Sequence, residues 1–115
     1  MKQKMIHLLC CFLLIGIAGM AQTATKTDTI KVYGNCNMCK ANIEGSLKKK
    51  DGVISKDWNK DTKMLVVTYD SSKITIKQIA QKIANVGYDN EYATAPDATY
   101  NKLDQCCQYE RPKKN

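Results

Sequence analysis

Along the first half of the chain, the spacing of apolar residues changes from every second position to every fourth. Ile30 and Val32 alternate with polar residues and predict a first strand over residues 29–33. The next apolar positions recur at i, i+4 and i+8, as on the buried side of a helix. They are Cys39, Ile43 and Leu47, and they predict a first helix over residues 38–50.

The second half of the chain repeats this order. Residues 53–59 and 63–70 predict two strands joined by a polar turn, and the second strand has Leu65, Val67 and Tyr69 on one face. Thr75 and Gln78 have the spacing of a capping box, which predicts the start of a second helix. Gly87 is placed to end that helix, and residues 88–93 predict a short last strand.

The order strand, helix, strand, strand, helix, strand predicts an α+β fold. Its ferredoxin-like form, βαββαβ, has a four-stranded antiparallel sheet with two helices on one face. We expect one such domain over residues 28–95, with Trp58 in its core. Residues 96–115 form a C-terminal extension, in which a short helix over residues 99–110 would have four residues on one side: Tyr100, Leu103, Cys106 and Cys107.

Residues 1–21 have the pattern of a secretory signal peptide. A positive start precedes an apolar run over residues 8–18, and small residues follow at 19–21. A retained membrane anchor is the alternative, but the apolar run is short for a spanning helix. We therefore expect a periplasmic or secreted protein that is free of the membrane after cleavage, with residues 22–27 as a flexible lead.

The charge and composition of the chain exclude several functions. The formal net charge is +7, or about +5 without Lys2 and Lys4, but the chain has a single arginine and no basic stripe with stacking aromatics. Nucleic-acid binding is therefore not expected. The three lysines at 48–50 fit either a solvated helix end or a docking face for an acidic partner. The only histidine, His7, lies in the leader and no catalytic constellation is visible, so we do not expect an enzyme.

Four cysteines follow the leader, and Cys36 and Cys39 carry the main chemical prediction. They lie where the first helix begins, and the free N–H groups and dipole of a helix N-terminus favour thiolates. Two thiolates suit soft ions. Cu(I) is the ion most expected to bind, followed by Hg(II), Cd(II) or Zn(II). Such an undercoordinated site would let a partner's cysteines take the ion by ligand exchange.

The stretch VYGNCNMCKANIE at residues 32–44 resembles the metal loop and first helix of the heavy-metal-associated domain family. Gly87 and Tyr88 also match a Gly-Tyr pair that commonly follows the second helix in that family, which includes copper chaperones, domains of transport ATPases and periplasmic mercury-binding proteins. The resemblance implies the ferredoxin-like fold, Cys36 and Cys39 as metal ligands, and a metal-transporting membrane protein or another thiol carrier as partner. It also puts Tyr88 near a loop residue that borders the metal in some members, although simple packing is the alternative.

One feature of the loop departs from the family pattern. The family usually has Gly-Met-x-Cys-x-x-Cys, whereas here Gly34 lies two positions before Cys36 and the methionine is absent. The loop is therefore one residue shorter than in the family, or differently registered.

Alternatives remain for both pairs of cysteines. Cys106 and Cys107 could be additional metal ligands, an oxidised pair, a link to another chain, or residues without a role. The Cys-x-x-Cys pair could instead serve a thiol-disulfide oxidoreductase. The intervening residues are not of the Gly-Pro type, and Pro96 and Pro112 both lie beyond the last predicted strand, which disfavours this alternative. A third possibility is a sensing module in which the metal promotes pairing with a partner.

Overall fold

A three-stranded antiparallel sheet is the framework of the computed structural model, which describes residues 24–113. Its strands lie in the order β1, β3, β2, and β1 pairs with β3 from Thr25 opposite Asp70 to Lys31 opposite Met64. The strands are β1 (Thr25–Lys31), β2 (Val53–Trp58) and β3 (Met64–Asp70). The predicted signal peptide, residues 1–21, lies outside the described residues.

Strand β1 begins earlier than the sequence pattern predicts. It starts at Thr25, so the prediction of a flexible lead over residues 22–27 is wrong for 25–27. The hydroxyls of Thr27 and Thr68 form a hydrogen bond of 2.9 Å across β1 and β3. Threonine is β-branched and suits a pleated strand, so this polar segment extends the sheet.

Helix α1 (Asn37–Gly45) ends earlier than predicted. The N–H of Ser46 donates to the carbonyl of Asn42 at 3.2 Å, and the Ser46 hydroxyl donates to the carbonyl of Ile43 at 2.6 Å. Glycine and serine are weak helix formers, so the helix stops here. The three lysines at 48–50 therefore lie beyond α1, in a separate 3-10 turn region that ends at Gly52 with a φ of 109°.

The β2–β3 hairpin confirms the prediction for residues 53–70. A register shift between Val53 and Ser55 marks a bulge in β2. In the turn, the side-chain oxygen of Asn59 accepts hydrogen bonds from the N–H groups of Asp61 and Thr62 at 2.8 and 2.9 Å. This side chain takes the place of backbone acceptors and closes the turn.

Helix α2 (Ile76–Asn85) begins with the predicted capping box. The N–H of Gln78 donates to the Thr75 hydroxyl at 3.2 Å, and the N–H of Thr75 donates to the Gln78 side chain at 3.0 Å. Gly87 follows the helix with a φ of 111°, a left-handed conformation that glycine adopts without strain.

The predicted fourth strand is not formed within residues 24–113. Val32 and Asn90 form only an isolated bridge, and the N–H of Tyr33 donates to the carbonyl of Asp89 at 2.9 Å. The side-chain oxygen of Asn90 accepts from the N–H groups of Tyr92 and Ala93 at 3.1 and 3.0 Å. This turn bends the chain away from the sheet, so the α+β class is confirmed and the count of four strands is wrong.

The core joins the sheet to α1 and α2 in one buried cluster. The apolar positions that predict the first strand and the first helix are all buried: Ile30, Val32, Cys39, Ile43 and Leu47. Trp58 is fully buried, and its indole N–H donates to the carbonyl of Val32 at 3.0 Å. Helix α3 (Asp97–Asn101) and a 3-10 turn (Gln105–Cys107) replace the single helix that we predict over residues 99–110. Within residues 24–113, no helix has the length and apolar character needed to cross a membrane.

Candidate metal centre

Cys36 and Cys39 lie together at the N-terminal end of α1. Cys36 is the N-cap residue, and its sulfur accepts a hydrogen bond from the N–H of Cys39 at 3.4 Å. The two sulfurs are 3.0 Å apart. Cys36 is partly exposed and Cys39 is buried. The pair is thus reachable from solvent through one sulfur.

Gly34 fits the loop tightly against the ring of Trp58. A Cβ atom at Gly34 would lie 2.9 Å from Cη2 of Trp58 and 3.3 Å from the Cβ of Cys39. Real Cβ atoms do not approach ring carbons so closely, so only glycine fits without a shift. The buried indole therefore packs beneath the loop and sets its path toward the two cysteines.

Asn35 is a site residue that the sequence analysis missed. The thiol of Cys39 donates a hydrogen bond to the side-chain oxygen of Asn35 at 3.2 Å. This contact orients the buried thiol from the loop side. The spacing of four residues between Asn35 and Cys39 was the only sequence pattern that could have indicated it.

The second pair of cysteines lies beside the first. The sulfur of Cys107 is 3.6 Å from that of Cys36, and the sulfur of Cys106 is 3.8 Å from that of Cys107. Cys107 is buried and Cys106 is exposed, and none of the four cysteines is in a disulfide. The sulfurs of Cys36, Cys106 and Cys107 all lie within 4.8 Å of one another.

Met38 adds a further sulfur that the sequence analysis did not assign. Its thioether lies 3.8 Å from the sulfur of Cys106, on the exposed side of the cluster. The lysines at 48–50 lie beyond the opposite end of α1, so they do not border the sulfurs.

Arg111 and Asp89 hold the C-terminal extension against the domain. The guanidinium donates to both oxygens of the Asp89 carboxylate, at 2.8 and 2.9 Å, and Asp89 is only 2% exposed. A two-point contact of this kind fixes the relative orientation of the two groups as well as pairing their charges. A third bond, from Arg111 to Asp97 at 2.6 Å, ties the start of α3 to the same group.

Tyr109 makes the second anchor of the extension. Its hydroxyl accepts from the N–H of Asp89 at 2.7 Å and donates to the carbonyl of Gly87 at 2.8 Å. Its ring stacks on Tyr88 at a centroid distance of 5.7 Å, and Tyr100 meets it edge-on at 5.1 Å. These contacts place the segment around Cys107 at a fixed position.

Tyr88 borders the sulfurs from the core side. It is fully buried, and its hydroxyl accepts a hydrogen bond from the side chain of Asn42 at 2.9 Å. Burial raises the pKa of Tyr88, and contacts with the thiols of Cys39 and Cys107 contribute to the same shift. Tyr88 therefore both packs in the core and closes the inner wall of the cluster.

The pKa values of the thiols differ across the cluster. Burial raises the pKa of Cys36, but its contacts with the side chain and the N–H of Cys39 outweigh burial and bring that pKa below its ordinary value. Burial raises the pKa of Cys107, and its contact with Cys36 raises that pKa further. Of these two thiols, Cys36 is therefore the one that ionises more readily.

Comparison with known proteins gives a family for the domain. The model of the heavy-metal-associated domain matches residues 29–89. The mercuric transport protein periplasmic component of Shewanella putrefaciens is 36% identical over 86 residues, which cover 74% of this chain and 92% of that protein. The copper chaperone CopZ of Staphylococcus aureus (strain JH9) is 38% identical over 63 residues, which cover 54% of this chain and 93% of CopZ.

A solved structure supports the ferredoxin-like fold. The crystal structure of oxidized MerP from Ralstonia metallidurans CH34 is similar with a TM-score of 0.55 and 30% identity, over 59% of this chain and 96% of that one. Cys106 and Cys107 lie outside the matched residues 29–89. The family model matches more than half of the chain, and one relative is aligned over nearly its whole length. Both matches agree with the fold and with the paired cysteines. This chain therefore belongs to the heavy-metal-associated domain family.

Proposed function

We propose that this protein is an exported carrier of a soft metal ion, which it binds through the thiolates of Cys36 and Cys39 and passes to a partner. One observation carries the proposal. The two sulfurs are free, 3.0 Å apart and located at the N-terminus of α1, and one of them is partly exposed. Further support comes from the relatives, whose names describe mercuric transport and copper chaperoning.

The donor set favours particular ions. Thiolates are soft ligands, and two of them suit Cu(I) first and Hg(II) next, with Cd(II) and Zn(II) less well served. Zn(II) normally requires four protein ligands in a closed site. As each metal–sulfur bond forms, the thiol releases its proton to solvent, and the unpaired N–H groups of α1 stabilise the resulting negative charge.

The exposed side of the pair is where transfer would begin. A thiolate of the partner adds to the ion near Cys36, which is the more accessible of the two sulfurs. The bonds to Cys36 and Cys39 then break one after the other, and the ion leaves with the partner's sulfurs. A metal-transporting membrane protein or another thiol carrier has the ligands that this exchange requires.

The test is a competition titration of the purified, reduced protein with Cu(I) against a coloured chelator, repeated with Hg(II). We expect one tightly bound ion per chain, and loss of that binding when both Cys36→Ser and Cys39→Ser are introduced. Thr29→Ser, a small change at an exposed position of β1, is the control and should bind normally. Equal binding by the double variant and the wild type would contradict the proposal.

A second function, thiol-disulfide exchange, has one observation in its favour. The pKa of Cys36 lies below its ordinary value because hydrogen bonds from Cys39 outweigh burial, as in reactive thiols. All strand pairings within residues 24–113 are antiparallel, unlike the sheet of thioredoxin-type enzymes. Reduction of insulin disulfides at a catalytic rate by the purified protein would favour this function over metal transport.

A further inference from the structure

The four cysteine sulfurs form a connected row, with Cys36 next to both pairs. Its sulfur is 3.0 Å from that of Cys39 and 3.6 Å from that of Cys107. Cys107 lies 71 positions further along the chain and outside the family match. The extension thus brings a third sulfur to the pair that the domain itself provides.

The fold, and not contact between the sulfurs, fixes the position of Cys107. Its N–H donates to the carbonyl of Asp104 at 2.7 Å, and its carbonyl accepts from the N–H of Tyr109 at 2.9 Å. Tyr109 and Arg111, which follow closely, are anchored to Asp89. A ligand whose backbone is held on both sides is preorganised for binding.

The two separations from the sulfur of Cys36 are close to those around an ion with three sulfur ligands. Three sulfurs about 2.3 Å from one ion, in one plane with it, are about 4 Å apart. The sulfur of Cys36 is already 3.0 Å from that of Cys39 and 3.6 Å from that of Cys107, so it is placed to share one ion with both. Cys106 is adjacent in sequence but exposed, and its sulfur lies toward the thioether of Met38.

We propose that Cys107 is a third thiolate ligand of the ion, so that the site is a three-sulfur site of Cys36, Cys39 and Cys107. This inference rests on the proposed function, because it concerns the same ion. Three metal–sulfur bonds form, three thiol protons pass to solvent, and neither the metal nor the sulfur changes its oxidation state. The consequence is a carrier that retains its ion more firmly than a two-thiolate loop does, and that releases it only when the partner displaces three ligands.

X-ray absorption spectroscopy of the reduced protein loaded with one equivalent of Cu(I) tests this inference. It measures the number of sulfur ligands and the copper–sulfur distance. We expect three sulfurs in the wild type, and two sulfurs at a shorter distance in Cys107→Ser. The matched control is Cys106→Ser, which removes the neighbouring exposed thiol and should retain three sulfurs. A chelator should also remove copper faster from Cys107→Ser than from Cys106→Ser.

The possible results separate this inference from the function on which it rests. Two sulfurs in the wild type would overturn the role of Cys107 and leave the two-thiolate carrier standing. Four sulfurs in the wild type, or a loss of one sulfur in Cys106→Ser, would overturn the three-sulfur set. Failure of the reduced wild type to bind either Cu(I) or Hg(II) would overturn the proposed function itself. If Cys107→Ser does not fold, the counts for the wild type and for Cys106→Ser still decide the test: three sulfurs in both support the inference, and any other pair of counts overturns it.

Discussion

The metal loop at residues 34–39 and the C-terminal extension at residues 96–113 bring sulfur to the same point by different means. The loop depends on short-range geometry, because Cys36 caps the helix that contains Cys39. The extension depends on long-range polar contacts, in which Arg111 and Tyr109 bind groups near Asp89. One region therefore belongs to the body of the domain, and the other is attached to it.

This difference has consequences for stability. The loop rests on the fully buried Trp58, so disturbing it disturbs the core. The extension contains one short helix and a 3-10 turn, and few buried side chains, so it is expected to open before the domain unfolds. Changes that loosen one region at a time should therefore have different effects on stability and on the reactivity of Cys107.

The largest effect is expected from Trp58→Ala, which removes the support of the loop. The indole is fully buried and its N–H donates to Val32, so the change should lower the free energy of unfolding by about 3–5 kcal/mol. Urea unfolding measures this loss. Trp58→Phe retains an aromatic ring at this position and should lower the free energy of unfolding by less. If Trp58→Ala were as stable as the wild type, the loop would not depend on the core as we describe.

The next effect is expected from Arg111→Met, which releases the extension. The carboxylate of Asp89 would remain buried without its cation, at a cost of about 3 kcal/mol to the docked state. We expect Cys107 to become reactive toward a thiol reagent while the urea midpoint of the domain changes little. Arg111→Lys retains the charge but not the two-point contact, so the reactivity of its Cys107 should lie between those of the wild type and Arg111→Met. A buried, unreactive Cys107 in Arg111→Met would show that other contacts hold the extension.

Acid should loosen the same contact by a smaller amount, because a protonated carboxyl still accepts hydrogen bonds. Burial alone raises the pKa of Asp89, but hydrogen bonds from Arg111 and from the N–H of Ala95 outweigh it, so the pKa in the folded protein lies below its ordinary value. A lowered pKa stabilises the docked state above the ordinary pKa of about 3.9, and this stability is lost as the pH falls through the folded value.

Labelling of Cys107 by a pyridyl disulfide, which reacts in acid, measures this loss. We expect the labelling rate to rise below about pH 4 in the wild type, beyond the change shown by the exposed Cys106. Asp89→Asn lacks the titrating group and should lack this rise. An identical acid profile for both proteins would assign the opening to another group.

The smallest effect is expected from Thr75→Ala, which lies in neither region. The change removes the hydroxyl that accepts from the N–H of Gln78, at a cost of about 1 kcal/mol in urea unfolding. Thr75→Ser preserves the cap and should be close to the wild type. Metal binding and the reactivity of Cys107 should be unaffected by both. A change in either would mean that α2 communicates with the sulfurs.

Features set by neighbours in the sequence were predicted well. The capping box of Thr75 and Gln78 and the paired position of Cys36 and Cys39 both depend on spacings of three residues. The boundaries were less accurate. Helix α1 ends at Gly45 because Ser46 turns the chain, although the apolar period continues to Leu47.

Features set by distant contacts could not be predicted from spacing. The fourth strand is absent from the described sheet because the side chain of Asn90 closes a turn that competes with strand pairing. Similarly, the period in the extension placed Cys106 and Cys107 on one side, but the contacts of Arg111 and Tyr109 with Asp89 bring Cys107 to Cys36. A single sequence does not reveal which acidic residue that arginine will meet.

Because Cys36 and Cys107 are far apart in the sequence, an ion bound by both would also affect the stability of the chain. An ion bound by both sulfurs would cross-link positions 71 residues apart and close most of the domain into one ring. Such a ring restricts the unfolded chain and lowers its entropy, as any cross-link does. The metal-loaded carrier should therefore resist proteases, and the chain should become more susceptible to proteolysis after it delivers its ion.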